Sequence, residues 1–369
     1  MKEKPKIVFT VLMAAMLFSA VLLLASCGSR ERLYIYNWSY YTPESVIELF
    51  EEEFGVRVVY DEYASNEEMY AKVLATNREG LLGRFLQIFS RRYDIVFPSE
   101  DYAAIMISQG LLEPLDHSLL PNLRNIDPIV LSKASYDSAM RFVVPYYWGA
   151  AGVAVNTARV PNYDRSWSIF GRTDIGGAGT PRMTMLDDMR ETMGAALSFL
   201  GYSANTRNQR EIEAARDLIN NRWKPNLATF EGVAYGIGYA RGDFWVIHGY
   251  AEDLFWEIID DEQLMRDTVF FIPEDGGTAF IDSMVILGGS RNIELAHQFI
   301  NFIHRPDVYA LFVDEFGLPS TVNIPARQYK TGDSWYEVED IMALELKFDL
   351  GPALEYYNNA WFNSIRVGN

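Results

Sequence analysis

Acidic side chains at the ends of predicted strands and helices are the groups in this chain that could recognise a ligand by their chemistry. They are Glu100, Asp101, Asp188, Glu191, Asp253 and Asp282. Asp282 lies inside the apolar run 279–286, where an ionised carboxylate requires a cation or hydrogen-bond donors because uncompensated burial costs several kcal/mol. The acids therefore predict a binding site for a cation.

Asp188 and Glu191 stand three residues apart at the start of a predicted helix, so their Cβ atoms should lie about 5–6 Å apart on one face. Together they could hold a cation. The helix macrodipole would also stabilise two acids at this position, by roughly 0.3–1 kcal/mol. Taken alone, the pair favours this structural explanation.

Aromatic side chains accompany the acids. Trp38 and Tyr41 follow the first predicted strand, and Tyr250 and Phe280 each stand close to an acid. An alkylammonium group over an aromatic face gains roughly 0.5–2 kcal/mol. The alternative is that these rings are ordinary core or surface residues, since 14% of the chain is aromatic. Acids combined with rings suit an aliphatic diamine or polyamine, whose methylene groups would lie against the rings.

Motifs for covalent or metal catalysis are missing from the sequence. The chain has no Gly-x-Ser-x-Gly motif and no Cys/His pair, so a nucleophilic hydrolase has no support. His297 and His304 lie on one apolar face without a third ligand at metal spacing, which is typical of packed histidines. The run 176–179 lacks the Gly-Lys-Ser/Thr of a phosphate loop and reads as a turn. We expect no enzymatic activity, no cofactor and no metal.

The N-terminal residues 1–26 have the pattern of an export signal, with lysines followed by an apolar run. The tetrad Leu24-Ala25-Ser26-Cys27 resembles a bacterial lipobox, and Cys27 is the single cysteine of the chain. We predict lipidation at Cys27 after removal of 1–26. The alternative is an uncleaved membrane anchor, because the run approaches the roughly 20 residues that span a bilayer. Either places the rest of the chain outside the cytoplasm.

The chain is acidic, with a formal net charge of −18. This charge disfavours nucleic acid and anionic lipid headgroups as partners, and it attracts cations at long range. Acidity that serves only solubility is the alternative. Net charge alone does not identify a ligand.

Strands and helices alternate along the chain, which indicates an α/β protein whose sheets are flanked by helices. Predicted strands at 33–36, 56–60 and 93–98 are followed by loops or helices, and the loops 37–41 and 99–102 leave strands at their carboxyl ends. Such loops line ligand crevices in α/β proteins. We interpret 80–92 as an inserted surface helix.

The length after residue 26 is enough for two domains of roughly 150 residues each. The hydrophobic segments 145–156 and 278–287 are interpreted as two β-crossovers that join the lobes and form a hinge. The predicted first lobe contains 27–148 and 283–325. The predicted second lobe contains 149–282 and 326–369, with the C-terminal helices.

Several segments resemble the spermidine/putrescine-binding proteins of bacterial ABC transporters, the PotD type. They are 36–41, 65–72, 93–99, 145–150, 200–203 and 300–308, in the same order over nearly the whole chain after the signal. The resemblance implies a two-lobed periplasmic-binding-protein fold of the second type that closes on one polyamine. It also implies a site formed by Trp38, Ser39, Tyr41, Ser99, Asp188, Glu191, Tyr250, Asp253, Phe280 and Asp282.

Two matched positions favour the smaller ligand. Asp253 and Phe280 follow the pattern of putrescine-preferring relatives, so we expect putrescine to bind at least as well as spermidine. Other positions depart from the family pattern. Tyr40 replaces an acidic residue, Glu100 and Asp101 add acids nearby, and Lys347 falls near an expected glutamine. A lysine there would repel a ligand ammonium unless it turns outward or pairs with an acid such as Glu345.

The sequence therefore predicts a periplasmic, lipid-anchored and non-enzymatic receptor that acts as a monomer. It would bind putrescine or spermidine and deliver it to an inner-membrane ABC permease with its ATPase, without nucleic acid as a partner. Two alternatives stay open. One is a receptor for another cationic solute, such as a basic amino acid, and the other is a sensory or adhesive lipoprotein on the same fold.

Overall fold

A computed structural model of the protein describes residues 30–39, 41–63, 65–76, 93–177 and 179–367. The predicted signal peptide 1–26, the lipidation site Cys27, Tyr40 and the predicted helix 80–92 lie outside these residues. In the part of the chain that is described, no helix is long and apolar enough to cross a bilayer.

The strands of the described residues are numbered in chain order: β1 (Arg32–Trp38), β2 (Arg57–Tyr63), β3 (Ile95–Val96), β4 (Val143–Ala150), β5 (Gly152–Asn156), β6 (Gly176–Gly177), β7 (Thr180–Pro181), β8 (Met183–Met185), β9 (Leu227–Phe230), β10 (Val246–Gly249), β11 (Thr268–Phe271), β12 (Thr278–Ile286) and β13 (Glu345–Leu346). The α-helices are α1 (Glu44–Phe54), α2 (Asn66–Thr76), α3 (Glu100–Ser108), α4 (Pro128–Lys133), α5 (Met189–Phe199), α6 (Gln209–Leu218), α7 (Tyr235–Ala240), α8 (Ala251–Ile258), α9 (Glu262–Asp267), α10 (Ile293–Ile303), α11 (Pro306–Glu315), α12 (Val338–Ile341) and α13 (Leu354–Ala360). The π-helical turns Ile219–Trp223 and Trp361–Ile365 follow α6 and α13.

The first sheet has six strands in the order β13-β12-β3-β1-β2, with β4 paired to β12. β1 runs parallel to β2 and β3, whereas β12 runs antiparallel to β3 and β4. Every residue of β4 and β12 is buried, as expected for strands that are covered on both faces. The sheet is therefore the rigid frame of the first lobe.

The second sheet has five strands in the order β11-β5-β10-β8-β9. β10 pairs parallel with β8 and antiparallel with β5. A separate core with Met193, Trp223, Phe230 and Trp361 covers this sheet. Each lobe thus has its own sheet flanked by helices, and the predicted α/β class is confirmed.

Local sequence accounts for the helices next to the first sheet. α1 follows Pro43 and ends at Gly55, whose φ of 68° is the left-handed conformation that glycine adopts at low cost. Phe50 of α1 packs against Phe299 and Phe302 of α10, with ring centroids 5.1 and 5.3 Å apart. These contacts attach α1 and α10 to each other beside the sheet.

The chain passes between the sheets at three places. β4 continues into β5 through Ala151, so the crossover predicted at 145–156 is confirmed. The crossover predicted at 278–287 is wrong, because β12 pairs with first-sheet strands from Thr278 to Ile286 and the chain crosses at 272–277 instead. The third passage follows β13, where 347–350 leads into the second core.

These passages bear on the predicted lobe boundaries. The ranges 278–282 and 345–346 pair in the first sheet, although the prediction gave them to the second lobe. The reason is that strand pairing over a long sequence separation is not visible in local periodicity. The division of the whole chain into two lobes at these ranges stays a prediction.

Two other predicted segments differ from the structure. The strand predicted at 93–98 is reduced to the two residues of β3, and the loop predicted at 99–102 is instead the start of α3. The predicted helical end 337–362 is interrupted by β13. β3 is defined by its pairing with β1 and β12, and β13 by its pairing with β12, and local propensity does not predict such pairing.

Candidate functional site

Asp282 lies at the centre of the candidate site, on β12. Its side chain is only 4% exposed. It accepts hydrogen bonds from the Ser99 hydroxyl at 2.6 Å and from the Tyr41 hydroxyl at 2.7 Å. The pairing of β12 with β4 shifts register between Asp282 and Ser283, and such irregularities are frequent beside functional sites because they re-aim a side chain. Three residues distant in sequence thus converge at one carboxylate.

The pKa of Asp282 is raised to about 6. Burial is the largest cause, since the charged form loses its hydration. Hydrogen bonds from Ser99 and Tyr41 and the attraction of Lys347 act in the opposite direction. The carboxylate is therefore mostly ionised at neutral pH, with neutral hydroxyl donors as its direct partners.

The end of β1 and the residue after it contribute an aromatic wall, and the loop predicted at 37–41 begins only after Trp38, because β1 extends to that residue. The indole nitrogen of Trp38 donates to the carbonyl oxygen of Phe97 at 2.9 Å, and its ring lies 4.7 Å from that of Tyr63. The backbone N–H of Ser39 donates to the carbonyl oxygen of Tyr63 at 3.2 Å. These contacts hold the loop over the end of the sheet that leads to Ser99.

A second group of rings surrounds Phe280. Its centroid lies 5.6 Å from that of Tyr250 and 6.2 Å from that of Tyr147. Gly149 leaves the necessary room, because a Cβ atom there would lie 2.6 Å from a Tyr147 ring carbon and 2.8 Å from a Phe280 ring carbon. Rings from both lobes therefore meet beside Asp282.

Asp188 and Glu191 stand together as predicted, and Asp188 has a structural task. Asp188 caps α5, accepting from the backbone N–H of Glu191 at 2.9 Å, and its side chain is exposed. Glu191 is 2% exposed. Its carboxylate accepts from the Thr278 hydroxyl and pairs with the Lys347 ammonium at 2.5 Å. The charge of Glu191 is thus matched within the protein.

The partner expected for Lys347 is corrected by the structure. Glu345 accepts from Ser203 and from Asn205, and Lys347 pairs with Glu191 instead. The reason is topological, because residue 345 lies in β13 whereas the chain turns toward the second lobe at 347. Lys347 is 15% exposed.

Glu100 and Asp101 lie in the first turn of α3 and not in a loop. Glu100 is buried and accepts from the backbone N–H groups of Ile281 at 3.0 Å and Lys347 at 3.2 Å. Burial raises its pKa, and the neighbouring Asp101 raises it further against the attraction of Lys347. Glu100 therefore holds β12 and the segment after β13 to α3.

Asp253 is bound inside the second lobe. The Tyr235 hydroxyl donates to its carboxylate and accepts from the backbone N–H of Tyr250, the latter at 3.1 Å. This chain of contacts fixes Tyr250 against Phe280. Burial raises the pKa of Asp253, while the Tyr235 hydrogen bond lowers it.

Glu252 is a site residue that the sequence reasoning missed. It is 8% exposed and lies near Tyr41, Tyr147 and Tyr336, whose pKa values are raised mainly by burial and further by the charge of Glu252. Among the described residues, no side chain donates a hydrogen bond to its carboxylate. Burial, Asp253 and Asp282 together raise the pKa of Glu252. The signal was present in the sequence as the Glu252-Asp253 pair, of which only one member was chosen.

Most of the predicted site residues lie around Asp282. Tyr41, Ser99 and Asp282 are in direct contact, and Phe280 and Tyr250 form the adjoining wall. Trp38 and Ser39 hold the loop beside them. Glu191 contacts the strand that contains Asp282, since it accepts from the Thr278 hydroxyl of β12, but its charged partner is Lys347. In the described part of the chain no group of three or more His, Cys, Asp or Glu side chains is arranged to hold a metal ion.

Comparisons with known proteins identify the family of this chain. A family model for bacterial extracellular solute-binding proteins matches residues 45–333. The spermidine/putrescine-binding periplasmic protein of Escherichia coli is 32% identical over 93% of this chain and 94% of the relative. A putrescine/cadaverine-binding protein of Pseudomonas aeruginosa is 32% identical over 76% of each chain.

A solved structure is also similar over nearly its full length. The crystal structure of the Tp0655 (TpPotD) lipoprotein of Treponema pallidum has a TM-score of 0.82 and 45% identity, covering 91% of this chain and 99% of that one. The predicted two-lobed substrate-binding fold is thereby confirmed. The chain belongs to the bacterial extracellular solute-binding proteins and, within them, to the PotD-type family of spermidine/putrescine-binding proteins.

Proposed function

We propose that this protein binds one polyamine between its lobes, takes putrescine at least as well as spermidine, and delivers it to an ABC permease with its ATPase. The observation that carries the proposal is Asp282, a buried carboxylate whose direct partners are hydroxyl groups. A primary ammonium supplies the cation that such a group lacks, and a charge-assisted hydrogen bond of this kind is about twice as strong as a neutral one.

The rest of the cleft fits the rest of a diamine. One ammonium binds Asp282, the methylene groups lie against Phe280 and Tyr250, and the second ammonium meets Glu252. Ring faces attract ammonium groups and bury hydrocarbon at the same time. The two carboxylates belong to different lobes, so a ligand bound to both stabilises the closed arrangement.

The other predicted site residues support the ligand contacts. Trp38 and Ser39 form the wall beside Tyr41 and Ser99. Asp253 acts through Tyr235 to position Tyr250. Asp188 caps α5 and so positions Glu191. These roles belong to the proposal and follow from the contacts described above.

Membrane attachment and transport are part of the same proposal. The family is a solute-binding component of transporters, and we place this member outside the cytoplasm, tethered by lipid on Cys27. It acts there as a monomer without turning over its ligand, and its closed form is recognised by the permease. The single cysteine at a lipobox position supports the anchor.

An amino-acid ligand fits the cleft less well than a polyamine. Its carboxylate would need a cationic partner. Arg190, which follows Asp188 in the chain, instead donates to the carbonyl oxygen of Phe348 at 3.0 Å and to Asn205 at 2.9 Å. We therefore expect no binding of arginine at concentrations that saturate the protein with putrescine.

Calorimetric titration of ligand-stripped protein tests the proposal. Putrescine, spermidine and arginine are added separately to the wild type and to Asp282→Ala. We expect putrescine to bind the wild type with an affinity at least about 30-fold above that of Asp282→Ala, the effect of removing one partner of a buried charge pair. Equal binding by both proteins, or binding of arginine alone, would contradict the proposal.

A further inference from the structure

Lys347 stands where the chain passes between the lobes for the third time. Its backbone N–H donates to Glu100 of the first lobe at 3.2 Å, and its ammonium lies 2.5 Å from Glu191 of the second lobe. The side chains of Lys347 and Glu191 are 15% and 2% exposed. The lysine is therefore an internal cation inside the cleft region, held from both sides.

The pair leaves Glu191 with its negative charge already neutralised by a cation of the protein. One carboxylate oxygen accepts from the Thr278 hydroxyl and the other is bonded to Lys347. A ligand ammonium could take Glu191 as its counter-charge only by displacing the lysine. The displaced charge would then have to be accommodated in a poorly hydrated space, which is costly.

We propose that Lys347 takes the place of a ligand ammonium at Glu191. As a result, a triamine gains no affinity over a diamine from its third ammonium group. The inference rests on the proposed function. Spermidine differs from putrescine by an aminopropyl arm with one more ammonium. In this protein that ammonium gains nothing at Glu191, because the lysine already neutralises it.

A purely structural role is the competing explanation of the ion pair. In that case removal of the lysine changes stability and leaves ligand discrimination as it was. The two explanations differ in one readout, which is the energetic value of the third ammonium of spermidine. N-propylputrescine measures that value, since it has the same hydrocarbon arm without the terminal amine.

Four proteins are compared by calorimetry with putrescine, spermidine and N-propylputrescine. They are the wild type, Lys347→Gln, the double variant Glu191→Gln/Lys347→Gln, and Lys330→Gln. Lys330 is a matched control because it is another shielded lysine, 10% exposed, and it lies 3.6 Å from Asp314 outside the site. It therefore reports the effect of losing one positive charge.

In the wild type, and likewise in Lys330→Gln, we expect the affinities for spermidine and for N-propylputrescine to differ by less than about threefold. Lys347→Gln should prefer spermidine by at least about tenfold, the gain of one charge-assisted contact. The double variant should lose that preference. The wild-type comparison stands by itself if Lys347→Gln does not fold.

Two results would overturn the inference while leaving the proposed function intact. One is a wild type that binds spermidine at least tenfold more tightly than N-propylputrescine, and the other is a folded Lys347→Gln with no preference. If the wild type binds neither putrescine nor spermidine, the proposed function fails and the inference fails with it.

Discussion

Asp282 and Glu191 are two buried carboxylates in one cleft, and the protein treats them in different ways. Asp282 in the first lobe is bonded to the hydroxyl groups of Ser99 and Tyr41. Glu191 in the second lobe is bonded to a hydroxyl group as well, but also to the ammonium of Lys347. One carboxylate keeps its net charge and the other has it cancelled.

The difference shows why the number of acids in a cleft is not the number of cation sites. Hydroxyl donors reduce the free-energy cost of burying a carboxylate while leaving its negative charge available. An ion pair removes that charge. We therefore propose the first arrangement as the site of a ligand cation and the second as an internal ion pair of the protein.

The largest expected change in putrescine affinity comes from replacing Asp282 and not from replacing Glu191 with its lysine partner. Asp282→Asn should weaken putrescine binding by at least about 30-fold, because the ligand ammonium loses its buried counter-charge. The double variant Glu191→Gln/Lys347→Gln should change putrescine affinity by less than about threefold, because it removes a neutral pair. Calorimetry of both proteins measures the contrast, and equal losses would show that the distinction is wrong.

The next effect concerns the acid at the far end of the diamine. Glu252→Gln should weaken putrescine binding by roughly tenfold, the value of one charge-assisted contact. Asp253→Asn is its matched control, since the neighbouring carboxylate is already bound by Tyr235, and should lose less. If Asp253→Asn lost more putrescine affinity than Glu252→Gln, Asp253 would be the residue that binds the second ammonium.

Lowering the pH should weaken binding through Asp282. The pKa of this carboxyl is about 6 in the free protein, and a cationic ligand binds the ionised form, so protonation competes with the ligand below that value. Affinity should fall by about fivefold between pH 6 and pH 5 through this group, because the ionised fraction of Asp282 drops from about one half to about one tenth. The raised pKa of Glu252 acts in the same direction.

Replacing Asp282 shows whether this residue causes the fall in affinity at low pH. Titrations of the wild type and Asp282→Asn across pH 5–8 measure it, and the variant should lack the part of the decline that belongs to Asp282. Identical slopes in the two proteins would contradict the assignment.

The smallest effect tests the hydroxyl donors. Tyr41→Phe removes one hydrogen bond to Asp282 and should weaken putrescine binding by a few fold, because the ammonium takes over part of the lost donor's role. It should also move the pH step upward, since that hydrogen bond lowers the pKa of Asp282. Tyr102→Phe, which loses a surface bond to Glu67, should change neither the affinity nor the pH step.

The sequence predicted the fold class, the crossover through residues 145–156 and Asp282 as a buried acid. Those features depend on local alternation of strands and helices and on one charge in an apolar run. The sequence missed features that depend on pairing between distant segments. β12 lies in the first sheet because it pairs with β3 and β4, and Lys347 meets Glu191 across 156 positions.

The sequence analysis named Asp253 and not Glu252, and the direction of each side chain could not be read from the sequence. Successive residues of a helix point about 100° apart, so only one of two adjacent acids can face the cleft. The direction depends on how α8 packs against its neighbours. In the structure Tyr235 binds Asp253 and leaves Glu252 toward Tyr41 and Asp282.

A crystal structure of the protein with putrescine tests the central claim most directly. The account predicts one ammonium within about 3 Å of the Asp282 carboxylate, with Lys347 still bonded to Glu191. An ammonium bonded to Glu191, with Lys347 displaced and Asp282 left to its hydroxyl donors, would contradict it.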